Sequence, residues 1–479
     1  MRILHVASEL APFAKSGGLA DVLAGLPPAL ATLGYEVVIA IPRYRTVAQG
    51  GHDRALARRL RRFPVLLGSE RLDVGLVEGS LPGQPRARVW LIDHPPSFDR
   101  DGLYGDAHGD FGDNARRFAL LGKAALAIAD QTDWWPDLVH GHDWQAGPAL
   151  VYAGRPPEGR RVPRRVMTIH NLAFQGLFPP SVIPELGLPS EQFTPEGYEY
   201  WGQVGFLKAG LTAADAITTV SERYAVEIRT PEAGMGLDGL LRALGARLHG
   251  IQNGVDDGIW SPVNDRHLRQ TYSLASPWGK LACKQALQRE LGLPLRADLP
   301  LVGSIARLTD QKGFDLVVRA LPRLISDGLQ YVVLGSGDPQ LEAALQALER
   351  DHPEQVRVRL GFDEGLAHRI AAGSDLYLMP SRFEPCGLNQ LYAQLYGTPP
   401  VVRAIGGLDD TVVDFDARSR SGTGFKFAAY TDVALEATLR RALAAYRDRD
   451  AWGGLQRRAM AQDFSWRASA RRYDAVYRA

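Results

Sequence analysis

Short runs of Val, Ile and Leu, each closed by a polar or glycine-rich break, alternate along the chain with stretches whose apolar positions recur at helical spacing. The runs "ILHVAS", "EVVIAI", "RVWLID", "DLVHGH", "RVMTIH" and "AITTVS" occupy the first half. A second series, "PLVGSIA", "QYVVLGSGD", "VRVRLGF", "DLYLMPS" and "PVVRAIG", occupies the second. Continuous rather than alternating apolar runs fit strands covered on both faces, and their alternation with helical patterns predicts parallel sheets wound with helices. Between the series, around "LHGIQNGVDDGIWSP", the pattern lapses into Asn, Gly, Asp and Pro, as in a hinge. The expected fold is α/β: two doubly wound Rossmann-like domains, 1–250 and 251–462, facing across a deep cleft, with a helical tail 463–479 joined to the first. No internal repeat beyond the βα rhythm and no low-complexity segment is present.

Placing the unusual residues on this scaffold sharpens the picture. Lys15 follows the first strand in "KSGGL", ahead of a helix marked by Leu19, Val22, Leu23, Leu26 and Leu30, which Pro27 and Pro28 are expected to bend or interrupt. The loop amides at Gly17 and Gly18 then stand at a helix N-terminus, a geometry that suits an anion, or form an ordinary turn. Asp143 follows "DLVHGH", and His170 and Asn171 close "RVMTIH". Arg307 and Lys312 follow "GSIA", Gly335 ends "YVVLG", Glu384 follows "DLYLMPS", and Gly406 and Gly407 follow "VVRA". All lie beyond the carboxyl ends of predicted strands, the edge at which open parallel sheets bind ligands.

Composition narrows the class. The chain of 479 residues is 45% hydrophobic and 23% charged with formal net charge +1, so nothing favours nucleic acid or an anionic membrane as partner. No apolar stretch is long enough to span a bilayer, no signal-peptide pattern is present, and Cys283 and Cys386 form neither a disulfide framework nor a zinc pattern. A cytoplasmic location is expected. Nearly all basic residues are Arg, whereas two of the few lysines, Lys15 and Lys312, stand beside glycines in strand-to-helix loops. A compact ammonium binds phosphate well there.

Three constellations carry candidate chemistry. In "IARLTDQKGFDL", Arg307 and Lys312 form either a diphosphate clamp or two solvated charges. In "PSRFEPCGLNQLY", Glu384 lies in a loop ahead of a helix, where it either stabilises the dipole or accepts hydrogen bonds from sugar hydroxyls. In "VHGHDWQAGP", His140 and His142 share a strand face and His170 offers a third ligand for a metal, but hydrogen bonding to a polyol is the reading adopted, with His140 in the core. The first turn lacks GxGxxG, and no Walker motif, GxSxG elbow or paired-carboxylate pattern is present. No cofactor and no metal are expected.

Eight stretches, "KSGGLADVLAGLP", "HDWQAG", "TIHNLAFQG", "NGVDDGIWSP", "RLTDQKGFDL", "LGSGDP", "PSRFEPCGLNQLY" and "GGLDDTV", occur in the order found in bacterial glycogen synthases and plant starch synthases. The chain resembles that family over nearly its whole length. The resemblance implies a retaining GT-B glycosyltransferase that transfers glucose from ADP-glucose to the non-reducing end of an α-1,4-glucan, as an ADP-glucose:α-1,4-glucan 4-α-glucosyltransferase. Its catalytic set is Lys15, Asp143, His170, Arg307, Lys312 and Glu384. It places Gly17, Gly18 and Asp21 at the nucleotide sugar, and Trp144, Asn171 and Tyr104 toward the acceptor. The amides of Gly407 and Leu408 belong with the diphosphate, and Cys386 lies around the glucosyl unit. Phe362 packs on adenine or is a core aromatic. Asn253, Gly335, Gly387 and Gly406 complete the substrate-binding set. "KSGGL" replaces the family's KTGGL, "HDWQ" replaces the more frequent HDWH and leaves the role of Gln145 open, and Tyr392 stands where many related enzymes carry a second Glu. The chain lacks the transit peptide and extra amino-terminal regions of the plant enzymes, so a bacterial source is expected.

The expected mechanism follows. Lys15, Arg307, Lys312 and the Gly406 and Gly407 amides take up charge on departing ADP, with no divalent metal, while Glu384, Asp143 and His170 hold the glucosyl ring. No covalent nucleophile is placed, and same-face displacement assisted by the leaving phosphate is favoured. The rival readings are a UDP-sugar-dependent transferase, a nucleotide-sugar epimerase and a non-catalytic glucan-binding regulator.

Overall fold

Every one of the apolar runs above contains a strand, and each strand joins a sheet dominated by parallel pairing. The computed structural model describes residues 1–49 and 57–479. It divides into two units: Met1–Val220 with Ala225–Gly254 and Trp466–Ala479, and Ser221–Tyr224 with Val255–Ser465.

The first unit is built on a nine-stranded sheet. In spatial order its strands are Leu248–Gly250, Ala216–Thr219, Arg164–Ile169, Leu138–His142, Arg2–Val6, Glu36–Pro42, Gln84–Asp93, Glu70–Leu81 and Ala57–Leu67. All neighbours pair parallel as far as Gln84–Asp93; the last two strands are antiparallel additions. His5 pairs in register with His140, so their side chains share a face of the sheet. A small antiparallel sheet, Leu177–Phe178, Gln203–Gly205 and Glu199–Tyr200, lies outside it.

The helix Gly18–Thr32 continues through Pro27 and Pro28, so the prolines do not interrupt it. Both prolines are buried, and the helix packs on the carboxyl-terminal helix Trp466–Arg478, whose Trp466 indole occupies the space a side chain at Gly25 would take. Tertiary packing supplies what the missing amide hydrogen bonds do not.

The second unit holds a six-stranded, wholly parallel sheet: Val356–Leu360, Gln330–Gly335, Leu301–Ile305, Leu376–Met379, Pro400–Arg403 and Phe425–Phe427. The Phe314–Ile325 helix packs Leu316, Val317, Leu321 and Leu324 into a core with Tyr331, Val333 and Leu439. Gly313 starts that helix with φ +75°, and a Cβ there would lie 2.1 Å from the carbonyl oxygen of Pro380, so only glycine fits between the two loops. Among the described residues no helix is long and apolar enough to cross a membrane.

Candidate functional site

In the first unit the loop after Arg2–Val6 is organised by a residue that the sequence reading missed. The Glu9 carboxylate is buried and accepts from the Ser16 amide at 2.7 Å, the Gly17 amide at 3.2 Å, Ser16 Oγ at 2.6 Å and Tyr104 OH at 2.6 Å. The glycine loop therefore does bind an anion, but the anion is the chain's own carboxylate. Of the two glycine amides singled out in the sequence, that of Gly17 is thus turned to Glu9. Glu9 stands beyond the carboxyl end of its strand, so the rule that gathered the other candidates would have found it. Lys15 donates to Asp21 at 2.7 Å; both side chains are substantially exposed, so the pair is weak and Lys15 can exchange partners at little cost.

Asp143 opens the helix Asp143–Ala153 with φ +56°, a left-handed backbone uncommon outside glycine. Its Oδ1 accepts from the amides of His170 at 2.7 Å and Asn171 at 3.4 Å, which ties the two loops together. Burial outweighs these hydrogen bonds and pushes the carboxyl up to about 7. Asn171 also turns its Oδ1 to the Ala173 amide at 3.0 Å.

His170 is the end of a chain of imidazoles. His5 Nδ1 lies 3.0 Å from His142 Nε2, and His142 Nδ1 lies 3.0 Å from His170 Nε2. Burial holds all three neutral, with His5 and His170 pushed down to about 3 and His142 well below its ordinary range. A neutral imidazole carries one N–H, so the chain must run in one direction. His5 Nε2 is buried with no hydrogen-bonding partner among the described residues, and an orphaned N–H there would cost more than an orphaned lone pair. The proton direction is therefore assigned from His5 through His142, which leaves the His170 proton on Nδ1 and makes that nitrogen a donor.

The metal question takes a different form from the one the sequence raised. The close group is His5, His140 and His142, all buried, and not the set including His170. His140 Nδ1 meets Tyr477 OH at 2.7 Å and its Nε2 meets Thr168 Oγ1 at 2.6 Å, while His5 and His142 bond each other. Apart from His5 Nε2, the nitrogens of this group serve hydrogen bonds. Replacing His142 by Leu is expected to lower kcat about tenfold, the worth of a lost positioning hydrogen bond, whereas His142→Gln, able to donate and accept, should retain more of it. Initial rates of the two variants check this.

Trp144 packs edge-on against Phe118 with centroids 5.1 Å apart and lies near Phe178 and Phe206, in an aromatic cluster. Gln145 Oε1 and Asn253 Oδ1 are buried acceptors without a hydrogen-bonding partner among the described residues, the condition a ligand's donor group would relieve. Tyr104, besides its bond to Glu9, contacts Ser8 Oγ at 2.8 Å.

In the second unit the loops at the carboxyl edge of the sheet are stitched to one another. Leu308 donates to the Ser336 carbonyl at 2.9 Å, the Asp338 amide returns to the Leu308 carbonyl at 2.7 Å, and the Arg382 amide reaches the Gln311 carbonyl at 2.8 Å. Lys312 Nζ donates to Glu384 Oε2 at 2.6 Å, and Ser381 Oγ donates to the same oxygen at 3.1 Å. Glu384 thus holds a lysine instead of a helix dipole, and the diphosphate and sugar candidates of the sequence reading are one ion pair. Arg307 is exposed and has no carboxylate partner among the described residues.

The glycine turn was expected to offer its amides to a diphosphate. Instead the Gly407 amide donates to the carbonyls of Glu384 and Pro385, at 3.1 and 3.2 Å, and the Leu408 amide to the Ile405 carbonyl at 3.1 Å. A Cβ at Gly406 would lie 2.0 Å from the Glu384 carbonyl oxygen, and one at Gly407 2.1 Å from that of Cys386. These glycines let two backbones touch and so fix the Glu384 loop. Cys386 is buried, Gly387 follows it with φ +71°, Gly335 ends its strand, and Phe362, 86% exposed, presents its ring beyond the end of Val356–Leu360.

Solved structures share the fold. The catalytic domain of starch synthase IV from Arabidopsis thaliana, bound to ADP and acarbose, matches 99% of this chain and 98% of its own, at TM-score 0.88 and 33% identity. Sucrose-phosphate synthase from Thermosynechococcus elongatus matches 100% and 98% at TM-score 0.60 and 17% identity, a likeness of fold alone. The class is that of the GT-B glycosyltransferases, α/β proteins of two doubly wound Rossmann-like domains. Residues 2–243 match the starch synthase catalytic domain and residues 292–457 the glycosyl transferases group 1. Glycogen synthases of Anaeromyxobacter sp. (strain Fw109-5) and Halorhodospira halophila (strain DSM 244 / SL1) are 52% and 49% identical over 100% of this chain and 99% and 98% of their own. The chain belongs to the glycogen synthase family, glycosyltransferases that build glycogen by glucosyl transfer.

Proposed function

We propose that the chain transfers glucose from ADP-glucose to the non-reducing end of an α-1,4-glucan with retention of configuration, in the cytoplasm. The observation that carries the donor assignment is the likeness, at 33% identity over 99% of the chain, to a starch synthase that binds ADP, the product left when ADP-glucose gives up its sugar. In this reading Arg307, which has no carboxylate partner among the described residues, and Lys312, with N–H donors to spare beside Glu384, take charge from the diphosphate. Phe362 stacks on the adenine. Asp143 opposes the positive charge that develops on the glucosyl ring, and His170 donates from Nδ1 to a sugar hydroxyl. Asn253 donor and acceptor groups meet the nucleotide sugar, and Trp144, Asn171 and Tyr104 border the acceptor. Lys15 serves as a mobile cation that leaves Asp21, while Glu9 keeps the glycine loop in shape.

The test offers radiolabelled ADP-glucose and UDP-glucose with and without a glycogen primer. Label is expected in glycogen from ADP-glucose only when primer is present, and glucoamylase should release it. Preference for UDP-glucose, or turnover that ignores the primer, would overturn the reading.

A further inference from the structure

Two turns in the first unit hold bulky apolar residues where short polar ones belong. Trp201 and Gly202 form the two-residue turn between Glu199–Tyr200 and Gln203–Gly205, with φ of +49° and +79°. Met235 and Gly236 have φ of +49° and +76°, and the turn closes through the Leu237 amide on the Gly234 carbonyl at 2.7 Å. Left-handed backbone at both central positions calls for Asn or Asp followed by Gly, and a large side chain at the first is disfavoured. The two turns are locked side by side: the Met235 carbonyl accepts from Tyr200 OH at 2.7 Å and from Gln175 Nε2 at 2.8 Å.

What the turns display is exposed. Trp201 is 82%, Phe174 56%, Met235 42% and Leu177 40% accessible; Phe174, Leu177 and Trp201 belong to the small sheet and its loops, and Met235 to the turn bonded to them. An apolar group kept in water on unfavourable backbone is a feature of a binding surface. The flat indole and its apolar neighbours suit the C–H faces of glucose rings, and Tyr200 OH and Gln175 border them with polar groups that suit sugar hydroxyls. Six residues fall well short of the roughly 20–30 a side that a stable protein interface uses. The strip begins four residues beyond His170, so the loop that leaves the candidate site leads onto it.

We infer that Trp201, with Phe174, Leu177 and Met235, forms a stacking platform for glucosyl units of an α-1,4-glucan away from the reacting end. The inference rests on the proposed glucan acceptor. It gives a long polymer an anchor that a short oligosaccharide does not reach.

Trp201→Asn tests it, because Asn suits the turn and removes only the indole. Wild-type enzyme should be retarded in a native gel containing glycogen, and Trp201→Asn should lose most of that retardation. Its KM for glycogen should rise at least fivefold, with kcat and the KM for the nucleotide sugar unchanged; Trp201→Tyr should restore binding in part. Undiminished retardation and KM in Trp201→Asn would overturn the inference, as would wild-type enzyme that migrates alike with and without glycogen. A change in sedimentation with glycogen binding intact would assign the surface to self-association and overturn it too. Absence of glucosyl incorporation by wild type would instead overturn the function proposed above.

Discussion

Asp143→Asn is expected to lower kcat by about two to three decades and, above pH 7, to make the protein more stable. The two effects have one origin. The carboxylate is desolvated, which pushes its pKa up from 3.8 to about 7, and an ion that the fold holds at a cost is an ion kept for chemistry. A group whose folded pKa exceeds its unfolded value destabilises the folded state in its charged form: the cost is absent below about pH 4, grows through the interval, and is complete above about 7. Asn is isosteric, tolerates the left-handed backbone at φ +56°, and keeps an oxygen for the His170 and Asn171 amides. It should gain about 1–3 kcal/mol at pH 8, after discounting for the part of the side chain that water still reaches, and nothing at pH 4. In the proposed function the rate loss is that of removing one preorganised charge facing an oxocarbenium-like ring, about 3–4 kcal/mol of barrier. Thermal unfolding at both pH values and initial rates with ADP-glucose measure the two halves. Near wild-type turnover, or a variant less stable than wild type at pH 8, would contradict the account.

The sheets were legible because parallel strands buried on both faces leave continuous apolar runs that need no partner to be seen. The Ala57–Leu67 and Glu70–Leu81 hairpin leaves no such run. Its Phe63, Val65 and Leu67, then Leu72, Val74 and Leu76, are buried at every second position, between exposed or half-buried residues such as Arg62, Leu66, Arg71 and Asp73. That period-two signal differs from the continuous runs of the parallel strands. The candidate residues were legible one by one, from their places beyond strand ends and from the family resemblance. Their partners were not. Lys312 with Glu384, Glu9 with the Ser16 and Gly17 amides, and His5 with His142 each join residues that meet only through tertiary structure. Sequence position marks where a group emerges; it carries no record of which opposing group has already claimed its hydrogen bonds. That is also why loop amides at Gly17, Gly407 and Leu408, anion-binding by their glycine content, turn out to be used internally.

The ion pair yields the second large effect. Lys312→Gln should cost about two to three decades in kcat and also lower stability, because it leaves the Glu384 carboxylate, 7% exposed, with Ser381 Oγ as its remaining side-chain donor. A single variant cannot separate the two losses, since a buried pair broken at one end typically costs about 3–5 kcal/mol whatever its role. The double variant Lys312→Gln/Glu384→Gln can. With both charges gone, the paired amides restore a neutral hydrogen bond, and most of the thermal stability should return. Turnover should not, because the ammonium that in the proposed function takes charge from the leaving diphosphate is still missing. Lys312 has three N–H donors and gives one to Glu384, so the carboxylate fixes the direction of the other two without exhausting them. Recovery of rate together with stability in the double variant would make the pair a structural tie and remove Lys312 from the proposed diphosphate site.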